Sequence, residues 1–217
     1  MRSLLDDYGD LPAVSAFLDA LDKVMNSNSF LLTVRTDEPV GDPCAVLSAF
    51  VHDDLFRDML VTADQRRDWW NLSDWPGDEP VLDPVARAGA RLAVEPLDAA
   101  GLAPRLRCML TEAYSPYGRF RDPADADELV AAFLRALLGE HAGEHTPGPI
   151  VEPAVEPADE HAGWTFVTIR PDFLYSSEYF TDTNPEPLHY FDGGAGDTAT
   201  AFLRGRVCHL LLTNGCP

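Results

Sequence analysis

The chain has 217 residues, 46% of them hydrophobic, and carries 36 Asp and Glu against 16 Lys and Arg, a formal net charge of -20. A surface of that sign repels nucleic acid and anionic lipid and attracts basic partners. No stretch approaches the roughly 18 consecutive apolar residues that a membrane span needs, and the length suits one sizeable core, so a single domain over 1-217 is expected.

Lys23 is the only lysine and the other basic residues are arginines, beside abundant Ala, Asp and Pro. That bias is the mark of a GC-rich genome. The acidity then has two readings: a general device for solubility, or a negative face matched to a cationic partner. Met1 to Asp10 holds three aspartates and no apolar run, so no targeting segment is expected and the expected location is the cytoplasm. Cys44, Cys108, Cys208 and Cys216 lack the paired spacing of a zinc site or a disulfide framework and read as reduced thiols, with Cys216 expected to be the most exposed.

In chain order, Asp10 offers a cap for a helix over Leu11 to Met25, whose Val14, Phe17, Leu18, Leu21 and Met25 form one apolar stripe. The Asn26-Ser27-Asn28-Ser29 run ends it. Phe30 to Arg35 reads as a strand. A turn over Pro39 to Pro43 then leads into Cys44 to Val51, read as the neighbouring strand. Asp53 offers an N-cap for a short helix through Leu55, Phe56, Met59 and Leu60. Asp83-Pro84 suggests a weaker helix interrupted by Gly89, and Pro104 to Ala113 has Leu106, Met109, Leu110 and Ala113 at helical spacing.

Asp122-Pro123 supplies a cap and a preset first turn for the clearest helix, with Leu129, Val130, Phe133, Leu134, Leu137 and Leu138 as its buried stripe and Gly139 closing it. From 143 to 160 the composition turns to Pro, Glu, Gly and Ala, an exposed connector by this reading. Trp164 to Ile169 resumes as a strand, Pro171 starts an irregular stretch rich in Tyr and Phe, and Thr198 to Leu212 ends in β-favouring residues. Strands at the two ends of the chain and helices between them predict an α+β fold with one mainly antiparallel sheet. The helices Leu11 to Met25 and Pro123 to Leu138 pack on that sheet.

Several residue groups carry chemical potential. Gly193-Gly194-Ala195-Gly196-Asp197-Thr198 resembles the Gly-Ala-Gly-Asp signature of ribokinase-like sugar kinases. The resemblance spans barely a dozen residues, and Phe191 and Asp192 stand where that family usually has an acid and a threonine. It implies Gly194, Ala195 and Gly196 as an anion hole, Asp197 as the catalytic base, and a helix starting at the glycines. The residues themselves read as a loop entering a hairpin of Thr198 to Leu203 and Arg206 to Leu212, joined at Arg204-Gly205. Pairing Leu203 with Arg206 sets Thr200 opposite His209 and Phe202 opposite Val207, with Ala199, Ala201, Cys208 and Leu210 on the other face. Both faces are largely apolar, so this hairpin is expected in the middle of the sheet.

His209, on that strand, reads first as a hydrogen-bonded core histidine. As a proton-transfer group it would need a partner such as His189, Asp192 or Asp197, because Cys208 points to the opposite face. His141 and His145 have the four-residue spacing of metal ligands, but Gly139 and Gly143 undermine a helix there, and neither a metal nor a cofactor is expected. Trp69, Trp70 and Trp75 with Arg66 and Arg67 form an aromatic and basic cluster of the kind that anchors recognition surfaces.

Together these features predict an acidic binding protein, with an immunity-like or inhibitor-like role as one concrete form. Its partner would be a protein, basic in the electrostatic reading, or a small molecule. The competing class is a small biosynthetic or hydrolytic enzyme that moves protons through His209, His189, Asp197 or Asp192 in an aromatic-lined pocket.

Overall fold

The computed structural model describes residues 1-4, 11-25, 27-67, 84-86, 92-112, 122-139, 163-169, 174-176 and 198-215. In chain order the elements are β1 (Arg2–Ser3), α1 (Pro12–Met25), β2 (Ser27–Arg35), α2 (Pro43–Val51), α3 (Asp54–Arg67), β3 (Pro84–Ala86), β4 (Val94–Leu97), α4 (Ala99–Thr111), α5 (Pro123–Gly139), β5 (Thr165–Ile169), β6 (Leu174–Ser176), β7 (Thr198–Arg204) and β8 (Val207–Gly215). Six strands form one antiparallel sheet in the order β1-β2-β8-β7-β5-β4, and β3 pairs with β6 separately. The fold is α+β, and the first and last long strands are hydrogen-bonded neighbours in it.

Both faces of this sheet are covered, which its sequence requires because both faces of β7 and β8 are largely apolar. Leu31, Phe166, Phe202 and Leu211 point to one side and pack with α1, α4 and α5 through Phe17, Leu21, Leu106, Leu110, Phe133 and Leu137. Phe30, Leu32, Ala201, Leu203 and Leu210 point to the other and pack with α2 and α3 through Leu47, Phe50, Phe56 and Leu60. The result is a helix layer, a sheet and a second helix layer, with two apolar cores divided by the strands.

Four expectations are corrected. Cys44 to Val51 is helix α2 and not a strand. Asp42 caps it, accepting a 3.0 Å hydrogen bond from the Cys44 N–H, and Pro43 sits in the first turn. Leu47, Phe50 and Val51 are its buried residues, at helical and not alternating spacing. The β-branched and aromatic content lost to the cap and the period. Truncating the cap in Asp42→Ala is expected to cost about 1 kcal/mol of unfolding free energy, with Asp42→Asn close to wild type, by chemical denaturation.

The other corrections lie in the middle and at the hairpin. Pro84 begins strand β3 and not a helix. Helix α4 starts five residues before Pro104, capped by Asp98, whose carboxylate accepts from the Gly101 N–H. A well-formed cap and the buried face of Leu102, Leu106, Met109 and Leu110 outweigh the backbone hydrogen bond that Pro104 removes. In the terminal hairpin, Arg204 pairs with Val207, so the turn is Gly205-Arg206. Gly205 adopts a φ of 56°, a left-handed conformation that glycine reaches without strain and arginine does not. The shift preserves which residues share a face but sets His209 opposite Phe202 instead of Thr200.

The helix expected after Asp53 does form, and runs further than its apolar residues suggest, to Arg67. Asp53 accepts from the Leu55 N–H at 2.9 Å. Strands β1, β4 and β6 are not among the elements expected from the sequence. Residues 143-160, read as a connector, lie outside the described residues.

Candidate partner-binding surface

His209 lies near the centre of the sheet, between Thr33 of β2 and Phe202 of β7. Its side chain is fully enclosed at 0% exposure. Nδ1 is 2.9 Å from the Thr33 hydroxyl, and the imidazole stacks on Trp164 with centroids 5.6 Å apart. The Arg204 guanidinium lies 5.8 Å from the Trp164 ring centroid, so a cation, an indole and an imidazole follow one another along this part of the sheet. These contacts hold the ring in the core under α1, α4 and α5. A proton-transfer group must reach a substrate, and this one is closed off by protein on every side.

The expected partners of His209, namely His189, Asp192 and Asp197, lie outside the described residues, as do Trp69, Trp70 and Trp75, and His141 and His145. Arg66 and Arg67 are in the last turn of α3. The helix implied by the sugar-kinase resemblance is overturned, because Thr198 to Arg204 is strand β7, paired on both sides. Among the described residues no group of His, Cys, Asp and Glu is arranged to hold a metal ion.

The cysteines divide by environment. Cys208 faces the core opposite to His209, and burial pushes its thiol up to about 12 from the ordinary 9.0. Cys108 is also raised, first by burial and then by the neighbouring Glu112 carboxylate, to which its sulfur is hydrogen-bonded. Cys44 is exposed. A thiol reagent is therefore expected to label Cys44 in the native protein and Cys208 only after unfolding, as mass spectrometry of the labelled chain would reveal. The Cys208 contribution to stability is complete below pH 9.0 and is lost as the pH rises toward about 12, because the unfolded chain can then ionise a thiol that the core keeps neutral.

A concave feature of the described surface that combines shape with charge lies between α1 and α5. It is a groove of about 590 Å³ lined by Ala16, Asp19, Ala20 and Lys23 from α1 and by Asp125, Glu128, Leu129 and Ala132 from α5. Beneath it, Phe17 and Phe133 stack with centroids 4.3 Å apart and lock the two helices together. The groove forms because the positions above this stack are alanines. Ala16 and Ala20 are one turn apart, and Glu128 and Ala132 are likewise one turn apart, so each helix presents short side chains flanked by acids.

Three of the eight lining residues are carboxylates and one is an amine. Asp125 also lies in the first turn of α5, where a negative charge favours the helix end. In the sequence Asp125 is marked only in that role, and Asp19 and the alanines are not marked at all, because the apolar stripes of both helices define their buried sides. The available signal is the small residue recurring four positions apart on α1, exposed at Ala16 and at the edge of the core at Ala20.

Among the described residues no helix is long and apolar enough to cross a membrane. No family model, curated protein or solved structure matches the chain.

Proposed function

We propose that this protein is a noncatalytic, acidic binding protein whose partner is a cationic protein, with a role of the immunity or inhibitor type. The observation that carries this reading is the groove between α1 and α5, an apolar floor with Asp19, Asp125 and Glu128 around it, on a chain of net charge -20. A negative field of that size accelerates encounter with a basic partner and disfavours nucleic acid. The enclosure of His209 supports the noncatalytic reading, since it removes the best-placed histidine from contact with any substrate.

Co-purification from the native source at low salt, followed by kinetics with the purified partner, tests this. The association rate is expected to fall about tenfold or more between about 0.05 and 0.5 M salt, while dissociation changes far less. Salt-insensitive association, or a small-molecule substrate that the purified protein turns over, would overturn the proposal.

A further inference from the structure

We infer that the groove between α1 and α5 receives one amphipathic helix of a separate, basic partner, its apolar stripe lying on the alanines and its Lys or Arg residues meeting Asp19, Asp125 and Glu128. This rests on the binding reading above and assigns it a location and a ligand class. The floor is built from Ala16, Ala20, Leu129 and Ala132. Short side chains let an incoming helix approach to an axial distance of about 8 Å, the close end of helix packing. The lining runs from Ala16 to Lys23 on α1 and from Asp125 to Ala132 on α5, about 12 Å along each wall at 1.5 Å per residue, which accommodates about two turns of a third helix. Recognition of this kind is read through apolar anchors at i, i+3 or i+4, and i+7.

Charge selects the occupant. A second copy of this chain brings a further net charge of -20 and the same acids, so the groove repels it. The segment following α5, residues 140-162, contains Glu140, Glu144, Glu152, Glu156, Asp159 and Glu160 and neither Lys nor Arg, so its sign is also wrong. A basic helix is complementary to the three carboxylates, and Lys23 at the end of α1 offers a counter-charge for a single acid on that helix, which sets its direction in the groove.

The probe is a synthetic peptide of about 18 residues, a length that carries an amphipathic helix once it is docked, made of leucine, alanine and lysine with the leucines on one face. Its binding to the full chain is followed by fluorescence anisotropy. The triple variant Asp19→Lys, Asp125→Lys and Glu128→Lys is compared with Glu38→Lys, Asp54→Lys and Asp58→Lys, exposed acids outside the groove whose reversal changes the net charge equally. The groove reversal is expected to weaken the peptide at least about tenfold more than the control reversal. Ala16→Trp, at an exposed position on the floor, fills the groove without altering charge and is expected to weaken binding about tenfold, with the loss persisting in high salt.

Equal weakening by the two reversals, or an Ala16→Trp variant that binds as wild type, overturns the groove assignment while leaving a cationic partner in place. A wild-type protein that binds the peptide but no basic protein from its source overturns the broader proposal instead.

Discussion

Replacing Phe133 with alanine is expected to lower the unfolding free energy by about 3 to 5 kcal/mol, the range for removing a buried aromatic ring. Phe133 has no exposed surface. Its ring stacks on Phe17 of α1 at 4.3 Å and meets Phe202 of β7 edge-on at 6.3 Å, so one side chain joins two helices to the centre of the sheet. Phe202 in turn meets Phe166 of β5 edge-on at 5.9 Å. The alanine variant leaves a cavity bordered by rigid elements on three sides, and a site so enclosed collapses poorly, which sets the cost toward the upper end. Phe133→Leu keeps most of the volume and is expected to lose less than half as much. Urea denaturation of the three proteins measures both values, and a Phe133→Ala loss below about 1 kcal/mol would contradict the packing described for this face.

The second large effect is on the opposite side of the sheet. Phe50 of α2 is fully buried and meets Phe56 of α3 in an edge-to-face pair at 5.2 Å. Phe50→Ala is expected to cost about 3 to 5 kcal/mol as well. The two cores share no helix, but both rest on β2, β7 and β8. Each variant should therefore lower the midpoint of one common transition, and should do so equally by far-ultraviolet circular dichroism and by tryptophan fluorescence. Separate transitions, with Phe133→Ala affecting one and Phe50→Ala the other, would mean that the two helix layers unfold as independent units and would remove the expectation of a single domain.

The elements legible in the sequence have an apolar stripe at helical spacing, and in α5 a cap beside it, Asp122 accepting from the Ala124 N–H; Asp10, the expected cap of α1, lies outside the described residues. Helices α1 and α5 are the examples: Val14, Phe17, Leu18 and Leu21 in one and Val130, Phe133, Leu134, Leu137 and Leu138 in the other are all buried. Helix α2 carried the same cap, Asp-Pro, but over nine residues its Val, Phe and Cys content reads equally well as strand. Short apolar runs do not reveal their period. The hairpin shows a different limit. Alternation assigned the faces of β7 and β8 correctly, because side chains two apart share a face in any register, whereas the register itself depended on the backbone conformation of Gly205.

The candidate site was the least legible part. The tryptophan and arginine cluster stands out by residue type, and the histidines and aspartates near the glycine-rich stretch by their chemistry. The groove instead comes from residues of ordinary type, 109 positions apart for Ala20 and Leu129, whose importance depends on two helices lying side by side. No feature local to either helix announces that neighbour.

By itself the amino-acid order determined the acidic charge, the class of fold, the amphipathic helices at either end of the helical region and the strands of the closing hairpin. Each follows from interactions within a few residues or from composition alone. Only the tertiary structure decided that α2 is a helix, that β2 lies beside β8 with Thr33 reaching His209 across 176 positions, and that α1 and α5 leave an acid-edged groove. Those outcomes turn on which surfaces are buried together, and the free energy of that burial belongs to pairs of distant segments and not to either segment alone.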